Sequence, residues 1–142
     1  MDTHASFLTY IWNLLTTDSD LQTAMGGTVR LYSDWAQPDA AFPYMVHRMS
    51  IGTSEPFPMR QATYYIDIWT DEDGRDGLSN IRERLIELLD ETEPNTTEIK
   101  AARLWLQAED DGPEIEQYIW HYAMQFNLRY YRASEVNSIL SR

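Results

Sequence analysis

The sequence predicts an α+β fold, in which a single, mostly antiparallel β-sheet carries two amphipathic helices packed on one face. Three stretches alternate apolar and polar residues at a spacing of two, as extended strands do: 43–51, 62–70 and 118–131. Two others, 4–16 and 78–92, repeat apolar residues at spacings of three and four, as helices with one buried face do. Short turns between neighbouring strands favour antiparallel pairing.

The N-terminal part is predicted to be helical. Apolar residues recur at helical spacing through the segment 4–16: Phe7, Leu8, Ile11, Trp12, Leu14 and Leu15. Asp18 is a suitable cap for a second, short helical segment, because its carboxylate can accept a bond from a free backbone N–H. Gly26 and Gly27 are expected to end that segment.

A strand, an irregular connection and a hairpin are expected next. Residues 28–33 predict a first strand and residues 34–42 an irregular connection to the strand 43–51. The segment 50–61 contains two prolines within three residues, which a sheet interior does not accept, so it is interpreted as a projecting hairpin loop. Phe57 lies between those prolines and is expected to be held outward, where a binding role is favoured.

The second half repeats the pattern of turn, helix and strand. Residues 71–77 form an acidic turn before the helix 78–92, and Pro94 acts as a stop. Residues 99–108 alternate as a strand, and 109–116 are interpreted as a charged turn into the last strand.

The last strand, 118–131, is predicted to be unusually long. Fourteen residues at ~3.3 Å each extend to roughly 45 Å, which is more than the core of a small domain covers. Its surplus edge is therefore a hypothetical contact for another subunit. Residues 1–131 are assigned to the domain, and 132–142 to a polar C-terminal tail with weak helical spacing.

Composition narrows the function classes. The 142 residues suffice for one domain, and the absence of cysteine excludes disulfides, zinc-thiolate sites and cysteine nucleophiles. No signal peptide and no run of ~20 apolar residues is recognisable, so a soluble protein made in a reducing cytoplasm, without membrane association, is expected. The net charge of −12 argues against ordinary nucleic-acid binding.

No catalytic or metal-binding pattern emerges from the sequence. The three histidines lack metal-ligand spacing, and the serines and glycines form neither a nucleophile nor a phosphate-binding motif. We therefore expect no enzyme activity, no metal and no cofactor. Asp67 lies in mid-strand, where Arg48 or Arg129 on a neighbouring strand would keep it charged.

The five tryptophans suggest contact surfaces. Trp69 and Trp105 are expected on strand faces opposite the best apolar rows, and amphipathic aromatic side chains there are typical of interfaces. A thick core with partly exposed rings explains them equally well.

Several segments resemble the tail terminator family, the tail-completion or tail-to-head joining proteins of long-tailed phages and related viruses. The resemblance spans residues 5–131. Its most specific parts are Phe42-Pro-Tyr-Met-Val46 and Tyr65-Ile-Asp-Ile-Trp69, and Gly26-Gly-Thr-Val-Arg-Leu-Tyr32 and Leu128-Arg-Tyr-Tyr131 stand in the same order.

This resemblance implies a virion structural protein of the tail or neck, without catalysis. Members form a homohexameric ring that caps the tail tube, stops its polymerisation and joins the tail to the head-completion, or neck, protein. Genome DNA would pass through the ring without specific binding.

Two sets of residues are then candidates for contacts within such a ring. The interface candidates are Phe57, Met59, Arg60, Trp69 and Trp105, of which the first three would dock on the tube or neck. The acidic candidates for the lumen or rim are Asp71, Glu72, Asp73, Asp76, Glu109, Asp110 and Asp111.

Two other readings fit the same residues. A head-completion or tube protein of the same virion would share the sheet-and-helix build. A small acidic module that blocks a basic partner fits the charge, and its affinity should fall steeply with salt.

Overall fold

The computed structural model describes residues 2–51, 59–71, 75–114 and 119–140. It contains four helices and five strands in these ranges. In chain order they are α1 (Thr3–Thr16), α2 (Ser19–Ala24), β1 (Leu31–Ser33), β2 (Tyr44–Ile51), β3 (Met59–Asp71), α3 (Arg75–Leu89), β4 (Ile99–Glu114), β5 (Ile119–Arg132) and α4 (Ala133–Leu140). The predicted α+β class is confirmed.

The five strands form one sheet in the order β1-β2-β3-β5-β4. β1 runs parallel to β2, and the other three neighbouring pairs are antiparallel. The sheet is therefore mostly antiparallel, as predicted. Its two edges are β1, which is three residues long, and β4, which is sixteen residues long.

One expectation about the last strand is wrong. β5 has the predicted length, but β3 pairs with it along one side and β4 along the other, so it is an interior strand. The outer strand on that side of the sheet is β4, and the middle of its outer edge is itself hydrogen-bonded to the segment after α3, through the Leu104 and Thr92 backbones. The long strand is possible because both neighbours are long as well, and each of its sides has a partner.

A second correction concerns the acidic segment after residue 108. The expected turn at 109–116 is strand through Glu114, and Gly112 and Pro113 are in register with β5. A sheet edge accepts proline and charged residues because only one side of the strand must be hydrogen-bonded. Residues 115 and 116, which complete the predicted turn, lie outside the described part of the chain, as does Tyr118, the first residue of the predicted last strand.

One face of the sheet and the helices form the core. Buried strand residues alternate along β3 and β5 as the period of two predicts. They are Ala62, Tyr64, Ile66, Ile68, Tyr122, Met124, Phe126, Leu128 and Tyr130. The helices cover them with Phe7, Ile11, Leu15, Leu21, Ile81, Leu85 and Leu89, all almost completely buried. The residues between the buried ones on β3 and β5 are half-buried or exposed, so the second face of the sheet is open.

The predicted cap links two helices. The Asp18 carboxylate accepts a bond from the Leu21 backbone N–H at 2.8 Å and bonds from Arg84 Nε and an Arg84 terminal nitrogen at 2.8 and 2.7 Å. Because the arginine lies on α3, one carboxylate both starts α2 and holds it against α3. α2 ends as predicted, since Gly26 and Gly27 adopt φ of 89° and 121°, which glycine enters at little cost.

Candidate assembly surfaces on the open sheet face and its edges

The open face carries a row of stacked rings. Tyr44 on β2 is in register with Trp69 on β3, and Trp69 is in register with His121 on β5. The ring centroids of Tyr44 and Trp69 are 5.4 Å apart, and those of Trp69 and His121 are 4.5 Å apart, with the planes of the latter two rings nearly parallel. Phe42 extends the row, with its centroid 5.4 Å from that of Tyr44. Such pairs stabilise by about 0.5–1.5 kcal/mol beyond burial.

Charged side chains surround the row. Asp67 Oδ1 lies 3.6 Å from His121 Nε2, so the structure gives Asp67 a histidine contact that the sequence did not predict. The two expected arginines stack on rings: the Arg48 guanidinium is 4.0 Å from the centroid of Tyr65, and that of Arg129 is 5.7 Å from the Trp105 ring.

The two tryptophans predicted as interface anchors lie on this open face. Trp69 and Trp105 are both half-buried. Trp69 is covered by stacked rings and Trp105 by Arg129. Their position agrees with the expectation, while their role as contacts between proteins stays a prediction.

A groove of about 400 Å³ opens beside the aromatic row. The connection after β1 forms one wall with Asp34, Trp35, Ala36, Gln37 and Pro38, and the sheet forms the other with Tyr44, Val46, Arg48, Asp67 and Trp69. Trp35 is 80% exposed, and Asp34 adopts a left-handed φ of 69°. The sequence did not predict a role for Trp35. This residue lies in an irregular connection, where no periodic pattern indicates which way a side chain faces.

The acidic candidates fall at one end of the sheet. Asp71, exposed at the end of β3, is in register with Ile119 of β5, which is in register with Glu114 of β4. Asp110 and Asp111 are exposed on β4. The structure thus brings the described parts of both predicted acidic segments together. Glu72 and Asp73 lie outside the described residues, as does the side chain of Asp76, whose backbone lies in the first turn of α3.

Glu109 differs from its acidic neighbours because it is paired within the chain. Arg82 Nε of α3 donates to Glu109 Oε1 at 2.8 Å and to the Tyr122 hydroxyl at 2.7 Å, and that hydroxyl contacts the same carboxylate. The bond from Arg82 lowers the pKa of Glu109, while burial raises the pKa of Tyr122. These residues line a second groove of about 370 Å³. The ion pair between Arg82 and Glu109 joins α3 to β4, so Glu109 has a structural role.

The residues of the predicted docking loop are only partly described. Phe57 lies outside the described ranges. Met59 and Arg60 belong to the start of β3 rather than to a loop, and both are half-buried. An Arg60 terminal nitrogen lies 2.9 Å from Glu135 Oε1, so this arginine connects β3 to α4 in the C-terminal segment.

The histidines do not form a common site. His47 is buried on the core face of β2, where Nδ1 lies 2.8 Å from the Tyr64 hydroxyl and Nε2 lies 3.3 Å from Ser33 Oγ. His121 lies on the open face. In the described part of the chain, no three acidic, histidine or cysteine side chains are arranged to hold a metal ion. Within the same residues, no helix has the length and hydropathy that crossing a membrane requires.

An open sheet face with stacked rings, beside a groove that carries the exposed ring of Trp35, is typical of proteins that make contacts with other proteins. The comparisons agree with that class. The family model described as "Tail completion protein gp17" matches residues 9–131. The chain therefore belongs to this tail-completion family, and it is a structural protein of the virion tail. The resemblance read from the sequence is confirmed.

A solved structure supports the fold. A chain in the structure titled "Virion of native gene transfer agent (GTA) particle" superposes with a TM-score of 0.70 at 14% sequence identity. The match covers 85% of this chain and 91% of that chain. At this identity the likeness establishes the shared fold. No curated protein gives a significant match.

Proposed function

We propose that copies of this protein form a homohexameric ring that caps the last layer of the tail tube, stops its polymerisation and joins the tail to the neck. The observation that carries the proposal is the family match over residues 9–131. The fold of a virion component, with a TM-score of 0.70, supports it. The proposed role is structural and involves no catalysis.

The shape of the sheet is suited to a ring. A closed ring joins each copy to the next through two different surfaces. This sheet has two unlike edges, a short β1 beside the groove and a long β4, and they lie on opposite sides of the molecule. Exposed aromatic side chains beside one edge supply apolar area that a partner can bury: Trp35 is 80% exposed and Phe42 is 38% exposed.

The acidic end of the sheet supports a channel that DNA crosses without being held. We propose that Asp71, Asp110 and Asp111, with Glu72, Asp73 and Asp76, face the lumen or its rim, and that Glu109 stabilises the strand that carries them. Like charges repel the phosphates and keep the duplex mobile. Neutralising either acidic segment should increase the DNA retained in assembled particles after ejection. Unchanged retention for both would exclude the assignment.

The start of β3 and the segment before it form the proposed docking surface for the tube or neck. Phe57→Ala should reduce the number of tails joined to heads, counted by electron microscopy. Met59→Ala gives a second variant in the same surface, and Trp12→Ala, an exposed ring on α1, serves as control. Normal numbers of joined particles for both docking variants would refute this role.

Loss of the whole protein tests the proposed function. Particles made without it should contain tails of irregular and excessive length that are detached from heads, and supplying the full chain should restore defined lengths. Uniform tails of normal length would refute the capping role. Absence of all tails would favour a tube protein, and normal free tails beside unfinished heads would favour a head-completion protein.

A further inference from the structure

The groove beside the aromatic row has the chemistry of a site for a positively charged side chain. It is lined by the rings of Trp35, Tyr44 and Trp69 and by the carboxylates of Asp34 and Asp67. Ring faces and carboxylates both attract guanidinium and ammonium groups. The volume of about 400 Å³ falls within the ~300–1,000 Å³ usual for binding clefts.

The outer wall of this groove is accessible to a partner. The side chain of Trp35 is 80% exposed, and Asp34 is exposed beside it. Arg48 also lines the groove, but its guanidinium lies over the Tyr65 ring, 4.0 Å from the centroid. Two carboxylates against one guanidinium leave the lining with one excess negative charge, so the groove favours a cation from outside.

Both walls are fixed before a partner arrives. The Asp34 backbone N–H donates to the His47 carbonyl at 3.0 Å, and the Trp35 N–H donates to the Ser33 carbonyl at 2.9 Å. On the other wall, Trp69 is stacked between two neighbouring rings. Binding to such a preorganised site costs little further ordering of the protein.

The arrangement favours arginine over lysine. Asp34 and Trp35 are consecutive, and the carboxylate of one and the broad ring of the other line the same wall. A planar guanidinium can stack on a ring and donate two parallel hydrogen bonds to a carboxylate, whereas an ammonium group is a compact point charge. The protein already places an arginine on a ring of the open face, where the Arg129 guanidinium lies 5.7 Å from the Trp105 ring centroid.

The arginine is expected to come from a different protein. The chain has a net charge of −12 and only eleven basic residues. Among the described side chains, seven of these already contact groups of their own chain: Arg30, Arg48, Arg60, Arg82, Arg84, Arg129 and Arg132. A second copy therefore has few cations to offer, and charge complementarity favours a basic partner.

We infer that this groove binds an arginine side chain of another protein of the virion, presented on an exposed segment of that partner. The inference rests on the proposed function, which places this chain between a tube and a neck. The groove lies at Asp67 and Trp69 of β3, whereas the proposed docking surface lies at Met59, ten residues before Trp69. Ten strand residues span roughly 33 Å, so both surfaces can be occupied at the same time.

Three short peptides test the chemistry of the groove. Each has blocked ends and a central residue flanked by alanines, and the central residue is arginine, lysine or citrulline, the uncharged isostere of arginine. NMR would follow binding to the free full-length protein through the Trp35 indole N–H and the backbone N–H groups of residues 34–37. The arginine peptide should shift these signals with a Kd of about 1 mM. The lysine peptide should bind several-fold more weakly, and the citrulline peptide should produce no shift.

Variants locate the binding in the groove. Trp35→Ala and Asp34→Asn should each weaken binding of the arginine peptide about tenfold, whereas Trp35→Phe keeps a ring and should retain most of the affinity. Asparagine tolerates the left-handed φ of position 34. The controls are Trp12→Ala, which removes a 46% exposed ring on α1, and Glu83→Gln, which neutralises a 61% exposed side chain on α3. Both controls should bind like the wild type, and circular dichroism would verify that every variant is folded.

A cross-link in assembled particles tests the occupant. Gln37, an exposed residue of the groove wall, would be replaced by the photoreactive residue p-benzoylphenylalanine, and irradiated particles would be analysed by mass spectrometry. The expected product joins this chain to an arginine-containing peptide of a different virion protein. A cross-link only to a second copy, or to no protein, would overturn the inference.

The peptide measurements can overturn it as well. Lysine or citrulline peptides that bind as tightly as the arginine peptide, or unchanged binding by the folded groove variants, would contradict a guanidinium site. Peptide binding by the free chain requires no ring. Failure of the proposed function would therefore leave arginine-selective binding intact, and failure of the peptides to bind would leave capping and joining intact.

Discussion

Lowering the pH from 8 to 5 should destabilise the protein through one buried imidazole, His47. This side chain is 1% exposed and packs between the Tyr64 hydroxyl and Ser33. Burial lowers its pKa from 6.5 to about 4, although the charge of Asp34 acts in the opposite direction. The folded protein therefore keeps His47 neutral at pH 5, while the unfolded chain takes up a proton.

The sign and the size follow from linkage. The folded-state pKa is below the unfolded value, so the stability is fully present above pH 6.5 and is lost as the pH falls towards 4. One pKa unit corresponds to about 1.36 kcal/mol, so His47 alone should cost about 2 kcal/mol of unfolding free energy at pH 5. Other groups add to the pH dependence, and a variant is needed to isolate this one.

The assay is urea unfolding at pH 8 and pH 5 for the wild type and for His47→Asn. Asparagine removes the titrating group and keeps an amide atom near the position of Nδ1. The wild type should lose about 2 kcal/mol more than the variant between the two pH values. Titratable groups that do not interact with His47 contribute equally to both proteins. Equal losses in wild type and variant would refute the reasoning, whatever their absolute size.

Three further substitutions test the fold. Asp18→Ala should cost about 2 kcal/mol, because it removes the cap of α2 and the bidentate pair with Arg84; a cost near zero in urea unfolding would contradict that double role. Phe7→Ala should cost about 3–5 kcal/mol by leaving a cavity against Tyr64, and a midpoint close to the wild type would be inconsistent with a tightly packed core there. Trp69→Leu should cost only about 1 kcal/mol in the free protein, with a larger loss expected in ring assembly.

Periodicity predicted most of the elements because burial acts on one side of them. The helix α1 and the strands β3 and β5 each bury one face, and their apolar residues repeat accordingly. Periodicity did not predict the end of β4. Its residues 109–114 read as Glu-Asp-Asp-Gly-Pro-Glu, which is the composition of a turn, and only the position at a sheet edge makes it a strand. Strand order, which decides that position, is not encoded in local periodicity.

The surfaces were predictable only in part, for the same reason. Alternation placed Trp69 and Trp105 on the face away from the core. The stacking of Trp69 between Tyr44 and His121 depends on the register of three strands, and the groove depends on where an irregular connection folds back. Residue types indicate that a surface is suited to contact, whereas long-range pairing determines which residues share it.

Stacking preorganises the aromatic side chains of the open face for binding. A ring fixed by stacked neighbours loses little conformational freedom when a partner covers its remaining surface, so more of the interaction energy is available for binding. Under the proposed ring, the row from Phe42 to His121 would be such a preorganised surface, and the charges of the groove would select the partner's orientation. Removal of Trp35, which projects beyond the row, should therefore reduce assembly far more than it changes the unfolding free energy. If Trp35→Ala lowered the unfolding free energy as much as it weakened assembly, the Trp35 side chain would serve the fold rather than the contact.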